Sequence, residues 1–293
     1  MTLIDFIPQN SNRRSDADKR KIMTDAIEEN ISGFKLYCIQ RNAGSPNSRN
    51  RIIRDYFDLE YIANIMIGTP EQSFLVAIDN GSTNLWVTDV GCNETGACND
   101  KCGQDEMYCA EKCDKFCCRG NLNASESICA RKQKFNSNAS STCCTDGRSF
   151  DIEYGYGFAE GFLGSDTVRF GGVGTNQLII SSITFGQVTA LSSDWVDDSA
   201  DGLLGLAYTS IAVDGVTPPL VNAVNQGLVD KPMFTVFLNT EGAALRKEGG
   251  GVFTWGGLDT VNCGQVIDYV NLTSESFYEF AIEGVHVGTK YKH

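Results

Sequence analysis

An apolar run that stops at one carboxylate constrains this chain more than any other stretch. Residues 74–87 read Phe-Leu-Val-Ala-Ile-Asp79-Asn80-Gly81-Ser82-Thr-Asn-Leu-Trp86-Val. Phe74 to Ile78 are all apolar, which predicts a strand covered on both faces. Asn80-Gly81 predicts a tight turn, since both residues tolerate positive φ. A second apolar strand then ends at Trp86-Val87. A carboxylate between a covered strand and a turn is costly unless donors satisfy it. The plain reading is a turn aspartate bonding its own loop; the alternative is a reactive carboxylate held in place by that loop.

Further motifs come in a fixed order. Ile67-Gly68-Thr69-Pro70 precedes the first strand. Phe150-Asp-Ile-Glu-Tyr154-Gly155-Tyr156-Gly157 alternates into a glycine-flanked tip, the pattern of a hairpin with a mobile end. Gly164-Ser-Asp-Thr-Val and residues 179–187 read as strands. Asp201-Gly-Leu203-Leu204-Gly205-Leu-Ala-Tyr208 comes next, then Asn225-Gln-Gly-Leu-Val, Met233-Phe-Thr-Val-Phe-Leu and Gly250-Gly-Val-Phe-Thr-Trp-Gly-Gly-Leu-Asp259.

From about Asp55 to about Ala281 this order resembles the pepsin-like aspartic proteases, whose first catalytic loop reads Asp-Thr-Gly-Ser and then runs into Leu-Trp-Val. The resemblance implies a mainly β, bilobal pepsin-like acid protease fold, with the first lobe complete and the second only begun. On that reading residues 1–54 are a basic prosegment-like region and 55–258 the N-terminal lobe, carrying a cysteine-rich insert at 92–144. Residues 259–293 start a truncated C-terminal lobe. Asp79 is then the catalytic carboxylate, Gly81 gives it a backbone donor, and Ser82 is its hydrogen-bond partner. Tyr154, Gly155, Tyr156 and Gly157 form the flap over substrate, and Trp86 hydrogen-bonds Tyr154. Leu203, Leu204 and Gly205 thread across the catalytic loop. No cofactor or metal is implied. The chain departs from the family at Asn80, where the family has threonine. It also holds no second Asp-Thr/Ser-Gly, so only half of the proton-sharing dyad is present.

Other chemistries fit poorly. The histidines are His286 and His293 alone, which leaves Ser/His or Cys/His catalysis without a well-placed base. Lys+Arg of 24 against Asp+Glu of 37 gives a net charge of -13, the wrong sign for a nucleic-acid partner. No apolar run approaches the roughly 18 residues of a membrane helix.

Charge and cysteine divide the chain unevenly. Residues 1–54 hold ten basic and six acidic side chains, a net of +4 that leaves -17 for the rest. Asp18 to Asn30 has a helical pattern ended at Ser32-Gly33, and residues 42–50 have linker composition. A solvated basic tail and an inhibitory prosegment both account for this. Ten of the 12 cysteines (Cys92, Cys98, Cys102, Cys109, Cys113, Cys117, Cys118, Cys129, Cys143 and Cys144) lie in the insert; Cys38 and Cys263 lie outside. Such density predicts a disulfide framework of about five bridges in an oxidising compartment. Zinc is the rival, because Cys98-x3-Cys102 and Cys109-x3-Cys113 approach ligand spacing. The pairing of Cys38 and Cys263 stays open, a partner for Cys263 beyond His293 being one alternative. Glycan acceptor sequences at Asn93, Asn123, Asn138 and Asn271 favour the secretory reading, although no signal peptide is visible at this start. The insert reads as a stapled surface loop, with a recognition module as the alternative.

These readings converge on an aspartic endopeptidase acting on peptides in a lysosomal or extracellular acidic setting. It is expected to be monomeric when complete, and inactive and prone to self-association as the chain stands. The rival is a catalytically silent, peptide-binding or decoy homologue, with Asn80 as its sign.

Overall fold

The computed structural model describes residues 33–34, 49–56, 60–92, 107, 129–155, 157–195, 198–238, 248–266, 269–282, 285–287 and 290–292. The Asp18–Asn30 helix, Tyr156, Cys38 and the insert cysteines Cys98, Cys102, Cys109, Cys113, Cys117 and Cys118 fall outside these residues.

The described chain is mainly β. Its strands are β1 (Gly33–Phe34), β2 (Arg49–Tyr56), β3 (Glu60–Ile67), β4 (Gln72–Asp79), β5 (Leu85–Thr88), β6 (Cys144–Glu153), β7 (Phe158–Phe170) and β8 (Leu178–Leu191). They continue with β9 (Gly202–Gly205), β10 (Phe234–Leu238), β11 (Glu248–Trp255), β12 (Val270–Asn271), β13 (Val285–Val287) and β14 (Lys290–Lys292). A helix of two turns, α1 (Pro219–Asn225), starts on a proline, whose missing N–H is no loss in a first turn.

Ten strands form one sheet in the order β10-β11-β2-β3-β4-β9-β5-β8-β7-β6. A further antiparallel pairing of β3 with β7, Ile65 opposite Phe170, closes β3, β4, β9, β5, β8 and β7 into a ring. Closure removes edges that would otherwise present unpaired backbone. β2 begins at Arg49 and pairs with both β3 and β11. It therefore runs through the expected boundary at residue 54 and takes in the last two residues of the stretch expected as linker.

The ring encloses the main core. Phe74 and Val76 of β4 point into it beside Ile65, Ile67, Leu85, Val168, Phe170, Phe185 and Leu204, each at most 2 % exposed. The opposite face of β4 is covered by a smaller cluster in which Ala77 and half-buried Leu75 meet Ile62 and Ala200. Both faces of this strand are thus covered, as its unbroken apolar sequence requires.

The insert is not a surface loop throughout. A disulfide joins Cys92 to Cys129, 37 residues apart, so the loop is stapled at its base. Residues 129–142 then return into the fold. Phe135 is fully buried and packs its ring against Phe74 and Phe185, while its backbone exchanges hydrogen bonds with Thr88 and Val90. The buried Asp166 carboxylate receives the hydroxyls of Ser140, at 2.6 Å, and Thr142, at 2.5 Å.

The cysteine expectation needs one correction. Cys143 and Cys144 are free thiols rather than bridged. A bridge between these two neighbours is barred as well, because adjacent Cα atoms sit about 3.8 Å apart, short of the roughly 4.4 Å that an ordinary bridge needs. Cys143 instead leans on the core and Cys144 opens β6 at the surface. Cys263 is disulfide-bonded, so it has not lost its partner.

Candidate active site

Asp79 is the last residue of β4, and β9 fixes the turn after it. That four-residue strand lies between β4 and β5, parallel to the first and antiparallel to the second, with Gly205 opposite Asp79 and Leu204 opposite Leu85. Gly-Leu-Leu-Gly suits the position because all four residues are buried. Gly205 cannot be larger: a Cβ there would lie 2.4 Å from the carbonyl carbon of Thr83 and 2.6 Å from its Cα.

Past β9 the chain keeps gripping the loop. The Leu206 N–H donates to Asp79 O at 2.8 Å, Ala207 N–H to Ser82 O at 2.8 Å, and Gly205 N–H to Asn84 O at 3.0 Å. Thr83 Oγ1 donates to Tyr208 O at 3.0 Å. The buried Asn84 amide pairs twice with Val213, donating to its carbonyl at 3.1 Å and accepting from its N–H at 2.9 Å. Tyr278 braces the same segment from behind, giving its hydroxyl to Leu206 O at 2.7 Å. The carboxylate is therefore half-exposed on a backbone tied at nearly every residue.

Within the turn, the Gly81 N–H donates to Asp79 Oδ1 at 2.7 Å, the donor expected of it. The turn expected at Asn80-Gly81 forms, with neither residue at positive φ; the side chain of Asp79 shapes it, so left-handed backbone is not needed. One expectation fails. Ser82 does not bond Asp79. Its Oγ is buried with no well-formed hydrogen bond among the described residues, because the loop turns Ser82 inward, towards Tyr154, while Asp79 stays at the rim.

The flap stands beside this loop. β6 and β7 pair up to Glu153 opposite Phe158, and the Tyr154 N–H closes the tip on Gly157 O at 2.9 Å. Gly157 has φ +80°, and a Cβ there would fall 2.1 Å from Ser192 Oγ, so the second glycine of the Tyr-Gly-x-Gly motif is obligatory. Trp86 Nε1 donates to Tyr154 Oη at 2.7 Å, as the family resemblance implies. Burial raises the Tyr154 phenol pKa well above its ordinary value; the indole hydrogen bond opposes this, and the Asp79 charge adds to it. Asp79 and Tyr154 thus share one electrostatic neighbourhood.

The structure adds Trp195, which the sequence reading does not single out. Its ring meets Trp86 edge-on with centroids 4.9 Å apart, and Tyr154 at 5.7 Å. Its indole N–H is buried without a partner among the described residues. The sole hint in the sequence is scarcity, for Trp195 is one of three tryptophans. Together Asp79, Gly81, Trp86, Tyr154 and Trp195 present a carboxylate on a rigid loop beside an aromatic wall. Such a site can accept a proton, orient water and hold an extended chain beneath the hairpin.

Comparison with known proteins agrees with this geometry. Residues 60–292 match the family model described as eukaryotic aspartyl protease. The chain is 43% identical over 255 residues to aspartic protease 6 of Caenorhabditis elegans, covering 85% of this chain and 57% of that protein. It is 38% identical over 238 residues to aspartic protease 2 of Necator americanus, covering 78% and 55%. It is 29% identical over 280 residues to cathepsin E-B of Xenopus laevis, covering 95% and 60%. The chain thus spans a little over half the length of these curated relatives. With a match over most of its length, it belongs to the eukaryotic aspartyl protease family.

Proposed function

We propose that Asp79 is one carboxylate of an aspartic endopeptidase dyad, and that residues 55–258 form the N-terminal lobe of the enzyme with residues 259–293 starting the second. The supporting observation is the threading of β9 past Asp79, which fixes the carboxylate's backbone from both sides. In a dyad two like carboxylates share one proton, since both cannot ionise at close range. The ionised one takes a proton from water as it attacks the scissile carbonyl, and the protonated one donates to the carbonyl oxygen. Asn80, Gly81 and Ser82 form the loop that sets the direction of Asp79. Tyr154, Gly155, Tyr156 and Gly157 close over an extended peptide.

The Cys92–Cys129 bridge supports an oxidising, secretory setting, lysosomal or extracellular. One relative bears the name vacuolar aspartic protease, from Candida albicans. The remaining insert cysteines are proposed to pair within 92–144.

A second reading, a silent peptide-binding homologue, rests on Asn80, which stands beside Asp79 where the family has threonine. Both readings are tested by joining this chain to the second catalytic loop of a relative and assaying an unfolded protein substrate near pH 4. Hydrolysis that vanishes in Asp79→Asn supports the dyad. Peptide binding without turnover supports the silent homologue, and hydrolysis unchanged by Asp79→Asn overturns both.

A further inference from the structure

The cysteine-rich insert returns to the fold on a short arm, residues 129–135. Its first residue is bridged to Cys92 and its last, Phe135, is fully buried in the core. Between them lies Lys132, 7 % exposed. Its Nζ donates to Asp198 O at 2.8 Å and to Ala200 O at 2.7 Å. The next residue continues the contact: the Gln133 N–H donates to Asp201 Oδ1 at 2.8 Å.

Asp201 is the hub on the other side. Its Oδ2 accepts the Leu75 N–H at 2.8 Å, and its own N–H donates to Leu75 O at 2.6 Å. Its carbonyl accepts both the N–H of Thr88, at 3.1 Å, and that residue's hydroxyl, at 2.9 Å. β9 begins at the very next residue. It spans roughly 13 Å at strand rise, is buried throughout and ends at Gly205 beside Asp79. A strand so short, paired on both sides, has no slack to absorb a shift at its start.

We propose that the arm 129–135, acting through Lys132, positions the Asp79 loop: it fixes the entry of β9, and β9 fixes the loop. The insert is thereby tied mechanically to the catalytic carboxylate rather than merely appended beside it. The charged groups around the Lys132 ammonium are Glu60 from β3, Asp198 and Asp201 from the segment before β9, and Arg131 from the arm itself. The ammonium lies among three acidic side chains, so a neutral replacement loses both its carbonyl contacts and the charge that balances the ionised ones.

The bearing on catalysis rests on Asp79 being the reactive carboxylate, but the positioning claim does not, and the two fail separately. The test is hydrogen exchange of the full chain, resolved at the Gly205, Leu206 and Ala207 amides that hold the loop. The β7–β8 ladder near Val168 and Ile180 serves as internal reference. Lys132→Met is expected to speed exchange at the three loop amides about tenfold or more while the ladder changes far less. Lys132→Arg, which keeps the charge and donors, is expected to restore protection at those amides. Should the methionine variant not fold, the wild-type chain answers alone: reducing the Cys92–Cys129 bridge is expected to deprotect the same three amides before the ladder. Uniform acceleration in all regions, or loop amides indifferent to both perturbations, would overturn the proposal.

Discussion

The indole of Trp86 and the hydroxyl of Tyr154 meet at 2.7 Å, across 68 residues of sequence, and so join the strand after Asp79 to the hairpin above it. Tyr154→Phe keeps the ring but leaves a buried N–H without its acceptor, which costs roughly 1–3 kcal/mol. Denaturant unfolding of the two chains is expected to show that loss. In Trp86→Phe, where the donor is already gone, adding Tyr154→Phe is expected to cost clearly less. Equal costs in both backgrounds would mean the bond contributes nothing.

Legible and hidden features of this sequence divide along physical lines. The β4 strand and the hairpin with its two glycines are local signals, written in apolar runs and turn residues, whereas the β9 motif is legible only through the family resemblance. The arm 129–135 is hidden because its anchors are isolated: Phe135 stands among Lys134, Asn136 and Ser137, and no period announces a buried aromatic. Lys132 looks like one more charge in a polar loop, yet its burial depends on two carbonyls that lie 66 and 68 residues further on. The family resemblance assigns Ser82 to Asp79; whether a side chain turns in or out of a loop is decided by packing. Trp195 is flanked by Asp194 and Val196, with nothing local to tie it to Trp86.

Gly205→Ala tests how tightly the loop is gripped. The added methyl would meet backbone atoms of Thr83 at 2.4–2.6 Å, and backbone cannot swing aside as a flexible side chain does. The expected cost is about 1–3 kcal/mol or more, the range for overpacking. It should be read as a lower thermal midpoint, together with altered near-ultraviolet dichroism from Trp86. Gly155→Ala, at a glycine of ordinary φ whose Cβ would meet nothing within 4 Å, controls for the loss of a glycine alone. If the two variants lose the same stability, close contact at Gly205 is not what matters.

Thiol chemistry separates the cysteines. Cys144 is exposed, whereas Cys143 is half-buried and burial raises its thiol pKa, with the Asp166 charge adding to the effect. The thiolate is the reactive form. Limited alkylation of the native chain with subsequent peptide mapping is therefore expected to label Cys144 first and Cys143 slowly. The Cys92–Cys129 bridge should stay unlabelled until reductant is added, and its loss is expected to cost about 2–4 kcal/mol. Prompt labelling at Cys92 would show that the staple is not closed in the native chain.

The acid–base behaviour of the fold turns on Glu60. Its pKa is raised from 4.5 to about 7, chiefly by burial, then by the neighbouring Asp198 charge; Lys132 pulls it partly back. In the unfolded chain the carboxyl loses its proton near 4.5, but in the folded protein only near 7. The folded state thus holds the extra proton between those values, and stability falls as pH rises through the window. The favourable contribution is fully present below about 4.5 and lost above about 7, a swing on the order of 3 kcal/mol. Asp201 and Asp89 are also raised by burial, so they act in the same direction from a lower starting value. Lys132, lowered by burial, gives the opposite slope at alkaline pH. Urea unfolding measured from pH 4 to pH 8 is expected to show greater stability at the acid end. Glu60→Gln, which remains neutral and can still donate to Asp198, should flatten the upper part of that profile and leave the variant more stable than wild type at pH 8. A variant whose pH profile overlays that of wild type would show that Glu60 is not the group that makes this fold favour acid.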